Sequence, residues 1–120
     1  MPVRGVRGAT TAQANQPDAI LDAARELLGA ILEANPTMNP DDLASALFTV
    51  SDDLSAAYPA AAARSLGWVN VPLLCAREIP VPGGLPLCIR VLLHWNTDLP
   101  QSLVRPVYLG AAAALRPDLS

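Results

Sequence analysis

The strongest constraint on the fold comes from residues 88–93, a strand-like segment that carries one charge, Arg90, among apolar side chains of both parities. A strand that is apolar on both faces is normally buried on both faces. An isolated buried cation is costly, and arginine cannot lose its proton to escape that cost. Arg90 therefore needs either an internal carboxylate as a structural partner or a cleft that receives an anionic ligand. This segment alone leaves both interpretations open.

Composition limits the architecture in which such a site can lie. The 120 residues predict a single domain, residues 1–120, with one core and little interior for a deep pocket of its own. Hydrophobic residues make up 52% of the chain and charged residues only 16%, so the surface is poor in charge. This balance favours an oligomer that buries part of each subunit's surface and shares its pocket between subunits.

The charged residues argue against several function classes. The formal net charge is −3 and all eight basic residues are arginines. We therefore expect no binding to nucleic acid, and we expect any anion site to be local and bidentate. The single histidine, His94, supplies neither a zinc cluster nor a Ser-His-Asp relay, so we expect no metal site and no such relay.

The apolar runs and the cysteines bear on localisation. No apolar run approaches the roughly 20 residues of a membrane helix, so we expect no membrane partner. Cys75 and Cys88 lie in separate strand-like segments and no signal-type stretch opens the chain, which predicts a reduced cytoplasmic protein. Nothing beside Cys88 indicates a lowered pKa, and we interpret it as a packed thiol.

The first half of the chain predicts a strand, a helix and an ambiguous segment. Residues 3–11 have the pattern of a strand with two glycines that allow close approach of other groups. Asn15 is a fitting N-cap for an amphipathic helix that runs to about Asn35. Asn39 starts a short helical turn, after which residues 43–50 are apolar on both parities. Periodicity alone does not choose between strand and helix there.

The second half predicts one helix and three extended segments. A helix over residues 52–66 contains an alanine run and ends at Gly67 in the C′ position. Residues 69–79 and 87–97 have the pattern of strands, and the turn residues between them predict that these two strands pair. Asp98 and Pro100 open another short helical turn, and residues 107–109 return to extended structure.

Together these elements predict an α+β fold, with a mixed sheet of roughly five strands and helices on one face. In the strand over residues 87–97, Val91, Leu93 and Trp95 share one parity, while Arg90 and Leu92 share the other. Both sides of that strand are too apolar to stand in water. The sheet face away from the helices therefore needs a cover, which a neighbouring subunit would provide.

The order of the segments resembles the small trimeric class of chorismate mutase, and the resemblance spans nearly the whole chain. It rests on three stretches, which are Arg4-Gly5-Val6-Arg7-Gly8-Ala9-Thr10-Thr11, then Gly83-Gly84-Leu85 followed by Cys88-Ile89-Arg90-Val91, then Val107-Tyr108-Leu109 with Leu115-Arg116-Pro117-Asp118-Leu119-Ser120. The resemblance implies that the subunits trimerise into a pseudo-α/β barrel. Clefts between subunits would then convert chorismate to prephenate, without a cofactor, in phenylalanine and tyrosine biosynthesis.

The resemblance also implies catalytic roles. Arg90 would donate to the ether oxygen and to a carboxylate of the substrate, while Arg7 and Tyr108 would hold carboxylate. Glu78 and Cys75 match the positions that meet the ring hydroxyl. Because residues three apart on a regular strand face opposite sides, one of these two must act through its backbone or lie past a strand end.

Further residues would surround the substrate by the same resemblance. The apolar walls would be Tyr58, Ala60, Leu73, Leu74 and Leu115, and the outer cations near the mouth would be Arg64 and Arg116. Many relatives carry a lysine where this chain has Ala61. The mouth then has one fewer cation, and capture of the substrate leans more on Arg64 and Arg116.

Two other functions compatible with the residues are a trimeric imine deaminase-like enzyme and a non-catalytic trimer that binds a small carboxylate. The deaminase shares the architecture and also holds a carboxylate with a cleft arginine, but it activates water. The non-catalytic trimer would use the same arginines for binding alone. The presence of both Arg7 and Arg90, with Glu78 between them in the sequence, favours the mutase.

Overall fold

The fold is described from a computed structural model, which defines the placement of residues 1–115. Five strands and two α-helices follow one another with three short 3₁₀ turns. The strands are β1 (Val3–Thr11), β2 (Leu43–Val50), β3 (Leu73–Arg77), β4 (Cys88–Asn96) and β5 (Val107–Tyr108). The helices are α1 (Pro17–Ala34) and α2 (Ala60–Ser65), and the 3₁₀ turns are Pro40–Asp42, Gln101–Leu103 and Gly110–Leu115.

The strands form one mixed sheet in the order β3-β2-β4-β1-β5. The central strand β4 is antiparallel to β1 and β2, whereas β3 is parallel to β2 and β5 is parallel to β1. This architecture confirms the predicted five-stranded α+β fold. The predicted pairing of residues 69–79 with 87–97 is wrong, because both edges of β4 are occupied by the longer strands β1 and β2. The extended part of residues 69–79 is also shorter than predicted and pairs with β2 instead.

The ambiguous residues 43–50 form a strand because they have partners on both sides, β4 and β3. The predicted cap at Asn15 is wrong: α1 has Gln16 as its N-cap, with no side-chain hydrogen bond. The Asn15 side-chain oxygen instead accepts from the backbone N–H groups of Ser55 and Ala56, at 2.9 and 3.0 Å. Asn15 therefore ties α1 to the loop before α2 rather than capping the helix.

The second helix is shorter than the predicted span of 52–66. It occupies Ala60–Ser65, and Pro59 is its N-cap. Before Pro59, the Leu54 N–H donates to the Ser51 carbonyl in a turn, and the next two N–H groups donate to Asn15, so these backbone groups are not available for a helix. The end of the helix is as predicted, since Gly67 has a φ of +88°, a left-handed conformation that suits glycine.

The core lies between one face of the sheet and α1. Buried residues of α1, including Leu27, Leu28 and Ile31, pack on the strand residues Phe48 and Leu93. Each large apolar side chain buried in this way stabilises the fold by about 1.5–3 kcal/mol. The alternate residues of β4, Arg90, Leu92 and His94, are only half-buried on the opposite face. Within residues 1–115 the second face is therefore incompletely covered, in agreement with the predicted need for a cover.

The outer edge of β1 beyond β5 is covered by a side chain. The amide of Gln101 donates from Nε2 to the Gly5 carbonyl at 2.7 Å and accepts from the Gly5 N–H at 3.1 Å. Arg4 also donates from Nε to the Leu99 carbonyl at 2.8 Å. The connection after β4 is thereby fastened along the edge of the sheet.

Gly8 marks the closest approach of α1 to the sheet. A Cβ atom there would lie 2.6 Å from Ile31 Cδ1 and 3.2 Å from Leu27 Cδ1. Both side chains are fully buried, so they can give way only by repacking within the core. We expect Gly8→Ala to lower the free energy of unfolding by about 1 kcal/mol or more, measured by chemical denaturation. The matched control is Gly29→Ala in α1, where a Cβ meets nothing within 4 Å, and which should raise stability by about 0.5–1 kcal/mol.

Candidate active site

A cleft on the open face of the sheet holds the charged side chains of greatest interest. It has a volume of about 290 Å³, and its lining includes Arg7, Thr49, Glu78, Arg90 and Tyr108. We call it the arginine cleft. The structure of one chain therefore brings together all three predicted catalytic residues and Tyr108.

Strand register explains why these residues meet. Arg90 pairs with Ala9 of β1 and with Thr49 of β2, and Ala9 pairs with Tyr108 of β5. Residues paired across adjacent strands lie side by side and share a face of the sheet. Tyr108, Ala9, Arg90 and Thr49 therefore form one row, and the single methyl of Ala9 leaves space between the tyrosine and the guanidinium. Arg7 lies two residues from Ala9 on the same face.

Arg90 and Glu78 form a loose ion pair at the bottom of the cleft. The distance from Arg90 Nε to Glu78 Oε2 is 3.8 Å, and the two side chains are 42% and 39% exposed. A pair this exposed contributes about 1 kcal/mol at most, and 3.8 Å is longer than a charge-assisted hydrogen bond. The structure therefore combines the two interpretations of Arg90. The guanidinium has a carboxylate partner, Glu78, but the pair lies in an open cleft rather than in the protein interior.

Glu78 is held by its neighbours in β2. Thr49 Oγ1 donates to Glu78 Oε2 at 2.9 Å, and the Glu78 N–H donates to the Val50 carbonyl at 2.8 Å. Glu78 lies just past the end of β3. A position beyond the strand end was one of the two ways expected for Cys75 and Glu78, three residues apart, to reach the same ligand. The side chain of Cys75 packs against the core, on the side of the sheet away from the cleft. Only its backbone is therefore available on the open side of the sheet.

Of the remaining predicted site residues, those within residues 1–115 lie outside the arginine cleft of the same chain. Tyr58 is 74% exposed beside α2, Arg64 is exposed on α2, and Leu74 is 65% exposed on the edge strand β3. Leu73 packs against the core, and Leu115 is half-buried in the last 3₁₀ turn. Arg116 lies outside the described residues.

Thr49 is a site residue that the sequence did not indicate. Its hydroxyl orients Glu78, but the apolar pattern of residues 43–50 did not even settle that it lies on a strand. Register with Arg90 is the signal that identifies it. Cys88 is buried, and desolvation raises the pKa of its thiol, which agrees with the interpretation of a packed thiol.

A second cavity of about 440 Å³ adjoins the arginine cleft and shares Thr49, Glu78 and Arg90 with it. Its other walls come from residues 50–53 and from the loop that leads into β4. Within residues 1–115, the histidine, cysteine and acidic side chains form no group of three suited to hold a metal ion. None of the described helices has the length and apolarity needed to cross a bilayer.

Fold and cleft together define a small α+β protein whose site consists of two arginines, a carboxylate and a phenol on one face of a mixed sheet. The family model of chorismate mutase type I matches residues 3–119. The chain therefore belongs to the chorismate mutase type I family, and it is an isomerase with chorismate mutase activity.

Individual relatives agree with the family model. The chain is 57% identical over 117 residues to the chorismate mutase AroH of Thermus thermophilus, which covers 98% of this chain and 96% of that protein. It is 46% identical to the chorismate mutase AroH of Bacillus subtilis, over 100% of this chain and 94% of that protein. A solved chorismate mutase from Clostridium thermocellum superposes with a TM-score of 0.89 at 44% identity, covering 92% of this chain and 97% of the other.

Proposed function

We propose that the arginine cleft converts chorismate to prephenate by an intramolecular Claisen rearrangement, in the biosynthesis of phenylalanine and tyrosine. The observation that carries the proposal is the convergence of Arg7, Arg90 and Glu78 in one open cleft. Family membership favours this reaction over the imine deaminase and over the non-catalytic carboxylate-binding trimer.

The rearrangement requires that the enzyme position the substrate and stabilise charge, and it requires no nucleophile or general base. During the rearrangement the ether C–O bond breaks and a C–C bond forms within the same molecule, so no proton is transferred. Arg7 and Tyr108 hold a substrate carboxylate and select the compact reactive conformer. Arg90 donates to the ether oxygen, where negative charge grows in the transition state, and a fixed cation stabilises that charge without reorganising.

Glu78 has a separate role in this mechanism. Thr49 and the Val50 carbonyl hold it beside Arg90, so that its carboxylate is available to accept a hydrogen bond from the ring hydroxyl of the substrate. The loose spacing of the Arg90–Glu78 pair leaves the guanidinium able to donate to the substrate at the same time. The backbone of Cys75, on the edge strand β3, is the second expected contact of that hydroxyl.

A homotrimer completes the site in this proposal. Tyr58, Arg64, Leu73 and Leu74 are absent from the cleft lining of their own chain, among the residues described, so they would be supplied by a neighbouring subunit. The half-buried open face of the sheet, with Leu47 and Leu92, is the surface that such a neighbour would cover. Leu115 is the last residue of a 3₁₀ turn that packs beside β1, and it would close the cleft from the same chain.

Three simpler predictions accompany the mechanism. A single domain over residues 1–120 is sufficient for it, and the cytoplasmic location stays a prediction from the two unpaired cysteines. Ala61, in place of the lysine of many relatives, leaves Arg64 as the cation of α2 for substrate capture.

The direct test is to incubate the purified protein with chorismate and to follow the loss of chorismate and the appearance of prephenate. The rate in buffer without protein is the reference. The proposal is contradicted if chorismate binds tightly but rearranges no faster than it does in buffer.

The dependence of turnover on pH separates the mutase from the deaminase. Because no group changes its protonation during the rearrangement, we expect kcat to be nearly level through neutral pH. The measurement is a profile of kcat and kcat/KM between about pH 6 and 8.5, a range in which an essential general base near neutrality would titrate. A steep rise with a single apparent pKa would instead support water activation.

A further inference from the structure

The loop of residues 79–87 joins the two charged residues at the bottom of the cleft, since it begins after Glu78 and leads into the strand of Arg90. Both of its ends are tied to residues 50–53. At the first end, the Glu78 N–H donates to the Val50 carbonyl at 2.8 Å. At the second end, the Cys88 N–H donates to Ser51 Oγ at 2.9 Å, and the Ser51 N–H donates back to the Cys88 carbonyl at 3.0 Å.

Asp53 makes the most specific contact of this tie. Its carboxylate accepts the Leu87 N–H with both oxygens, at 3.1 Å for Oδ1 and 2.9 Å for Oδ2. The Ser51 hydroxyl donates to the same Oδ1 at 2.5 Å. Ser51 and Asp53 thus form a connected pair that fixes two consecutive backbone N–H groups, those of Leu87 and Cys88. We call this arrangement the Ser51–Asp53 clamp.

Leu87 needs such a clamp because of its backbone conformation. Its φ is +53°, and among residues 1–115 it is the one residue other than glycine with a positive φ. Leucine rarely adopts this left-handed conformation, and it persists where the surroundings hold it in place. The Asp53 carboxylate holds the Leu87 N–H, while the Leu87 carbonyl accepts from Ala12 at 2.8 Å.

The conformation of Leu87 sets where β4 begins. The pairing of β4 starts at Cys88 against Thr11 and continues with Ile89 against Val50 and Arg90 against Thr49. If Leu87 relaxed to a negative φ, the entry of β4 would shift, and the guanidinium three residues later would move relative to Glu78. A displacement of about 1 Å in a catalytic group is enough to reduce a rate by about 10²-fold.

We infer that Asp53 is a positioning residue for the rearrangement: through Leu87 and Cys88 it fixes the placement of Arg90 opposite Glu78. Asp53 lines the adjoining cavity but not the arginine cleft, so it acts through the backbone rather than on the substrate. The inference rests on the proposed roles of Arg90 and Glu78 in the function above.

The charge state of Asp53 suits this role. The hydrogen bond from the Ser51 hydroxyl, followed by that from the Leu87 N–H, holds the pKa of Asp53 below its usual value despite an opposing desolvation effect. A carboxyl group with a lowered pKa in the folded state stabilises that state above its unfolded pKa, and this contribution is lost as pH falls through the lowered value. At neutral pH the clamp therefore has its full ionised form.

The test compares Asp53→Ala and Asp53→Asn with Asp52→Asn as the matched control. Asp52 is the adjacent carboxylate, and its partner is the exposed Arg77 at 3.4 Å rather than the entry of β4. We expect Asp53→Ala to lower kcat by about tenfold or more and to change KM by less than about threefold, because misplacement of Arg90 affects the transition state most. Asp53→Asn should be intermediate, since its amide nitrogen would face the Leu87 N–H. Asp52→Asn should stay within about twofold of the parent.

A double-mutant cycle separates positioning from a general structural role. If Asp53 acts through Arg90, adding Asp53→Ala to Arg90→Ala should change kcat by less than about twofold. All variants are measured at a temperature where circular dichroism shows them folded. An unchanged kcat in Asp53→Ala, or the same fold-loss with and without Arg90, would overturn the inference.

Hydrogen exchange distinguishes failure of this inference from failure of the proposed function. The amide protons of Leu87 and Cys88 should exchange faster in Asp53→Ala than in the parent and should be unaffected in Asp52→Asn. Unchanged exchange in Asp53→Ala rejects the clamp whatever the activity. A parent protein that does not accelerate the rearrangement rejects the proposed function, and with it the catalytic role of Asp53, even if exchange responds as expected.

Discussion

Replacement of Arg90 by alanine is expected to lower kcat for chorismate by about 10²-fold or more, by analogy with the loss of one donor to a developing oxyanion. The reason is that Arg90 lies in the row between Ala9 and Thr49 and offers the fixed positive charge that meets the ether oxygen. Because its pair with Glu78 is loose and half-exposed, removal of the guanidinium costs the fold little. The measurement is steady-state kinetics with chorismate, together with thermal unfolding.

Arg25→Ala is the control for this prediction. Arg25 is another arginine with a carboxylate partner, Asp22 at 3.0 Å, but it lies on α1 away from the cleft. We expect its kcat to equal that of the parent. If Arg90→Ala retained the parent turnover, the assigned role of Arg90 in the transition state would be wrong.

The second large effect is recovery of activity by mixing two inactive variants. Arg90→Ala damages the arginine cleft, whereas Arg64→Glu places a negative charge on α2, where it would repel a dicarboxylate. If the two residues come from different subunits of one site, mixed trimers contain intact sites. A site is intact only if the subunit that supplies the cleft retains Arg90 and the neighbour that supplies α2 retains Arg64. In a random assembly of equal amounts each condition holds for about half of the subunits, so about a quarter of the sites should be restored.

The matched control is a mixture of Arg7→Ala with Arg90→Ala. Both residues line the same cleft of one chain, so every site in this mixture carries one of the two lesions and no recovery is expected. The variants are mixed unfolded and refolded together, and turnover is compared with that of each variant refolded alone. Recovery in the control mixture, or none with Arg64→Glu, would contradict the proposed division of the site between subunits.

The sequence was a good guide to the elements and a poor guide to their partners. Local signals, such as the amphipathic period of α1 and the glycine at position 67, identify where helices lie or end. The predicted partner of β3 was wrong, because the turn residues at 80–84 indicate that the chain reverses but not which strand lies beside β3. Competition for the edges of β4 decided that pairing, and this competition is not visible within a local window.

The candidate site likewise combines residues that the sequence indicated with residues that only the strand register and backbone conformation reveal. Arg90 was identified as a charge in an apolar strand and Arg7, Glu78 and Tyr108 from the resemblance to chorismate mutase, and their convergence in one cleft agrees with that interpretation. Thr49 and Asp53 were missed because their importance depends on register and on the conformation of Leu87. A positive φ at leucine has no signature in the amino-acid sequence, since glycine or asparagine is the residue expected there.

The cover over Gly5 has a consequence for how copies of this chain meet. An unprotected sheet edge invites another polypeptide to add to it, which is a common route to fibrils. The Gln101 amide mimics the donor and acceptor of an incoming backbone, so that rim of the sheet presents no template at Gly5. Sheet extension by a second molecule is thereby steered toward the opposite rim, and uncontrolled polymerisation along β1 is discouraged by one side chain.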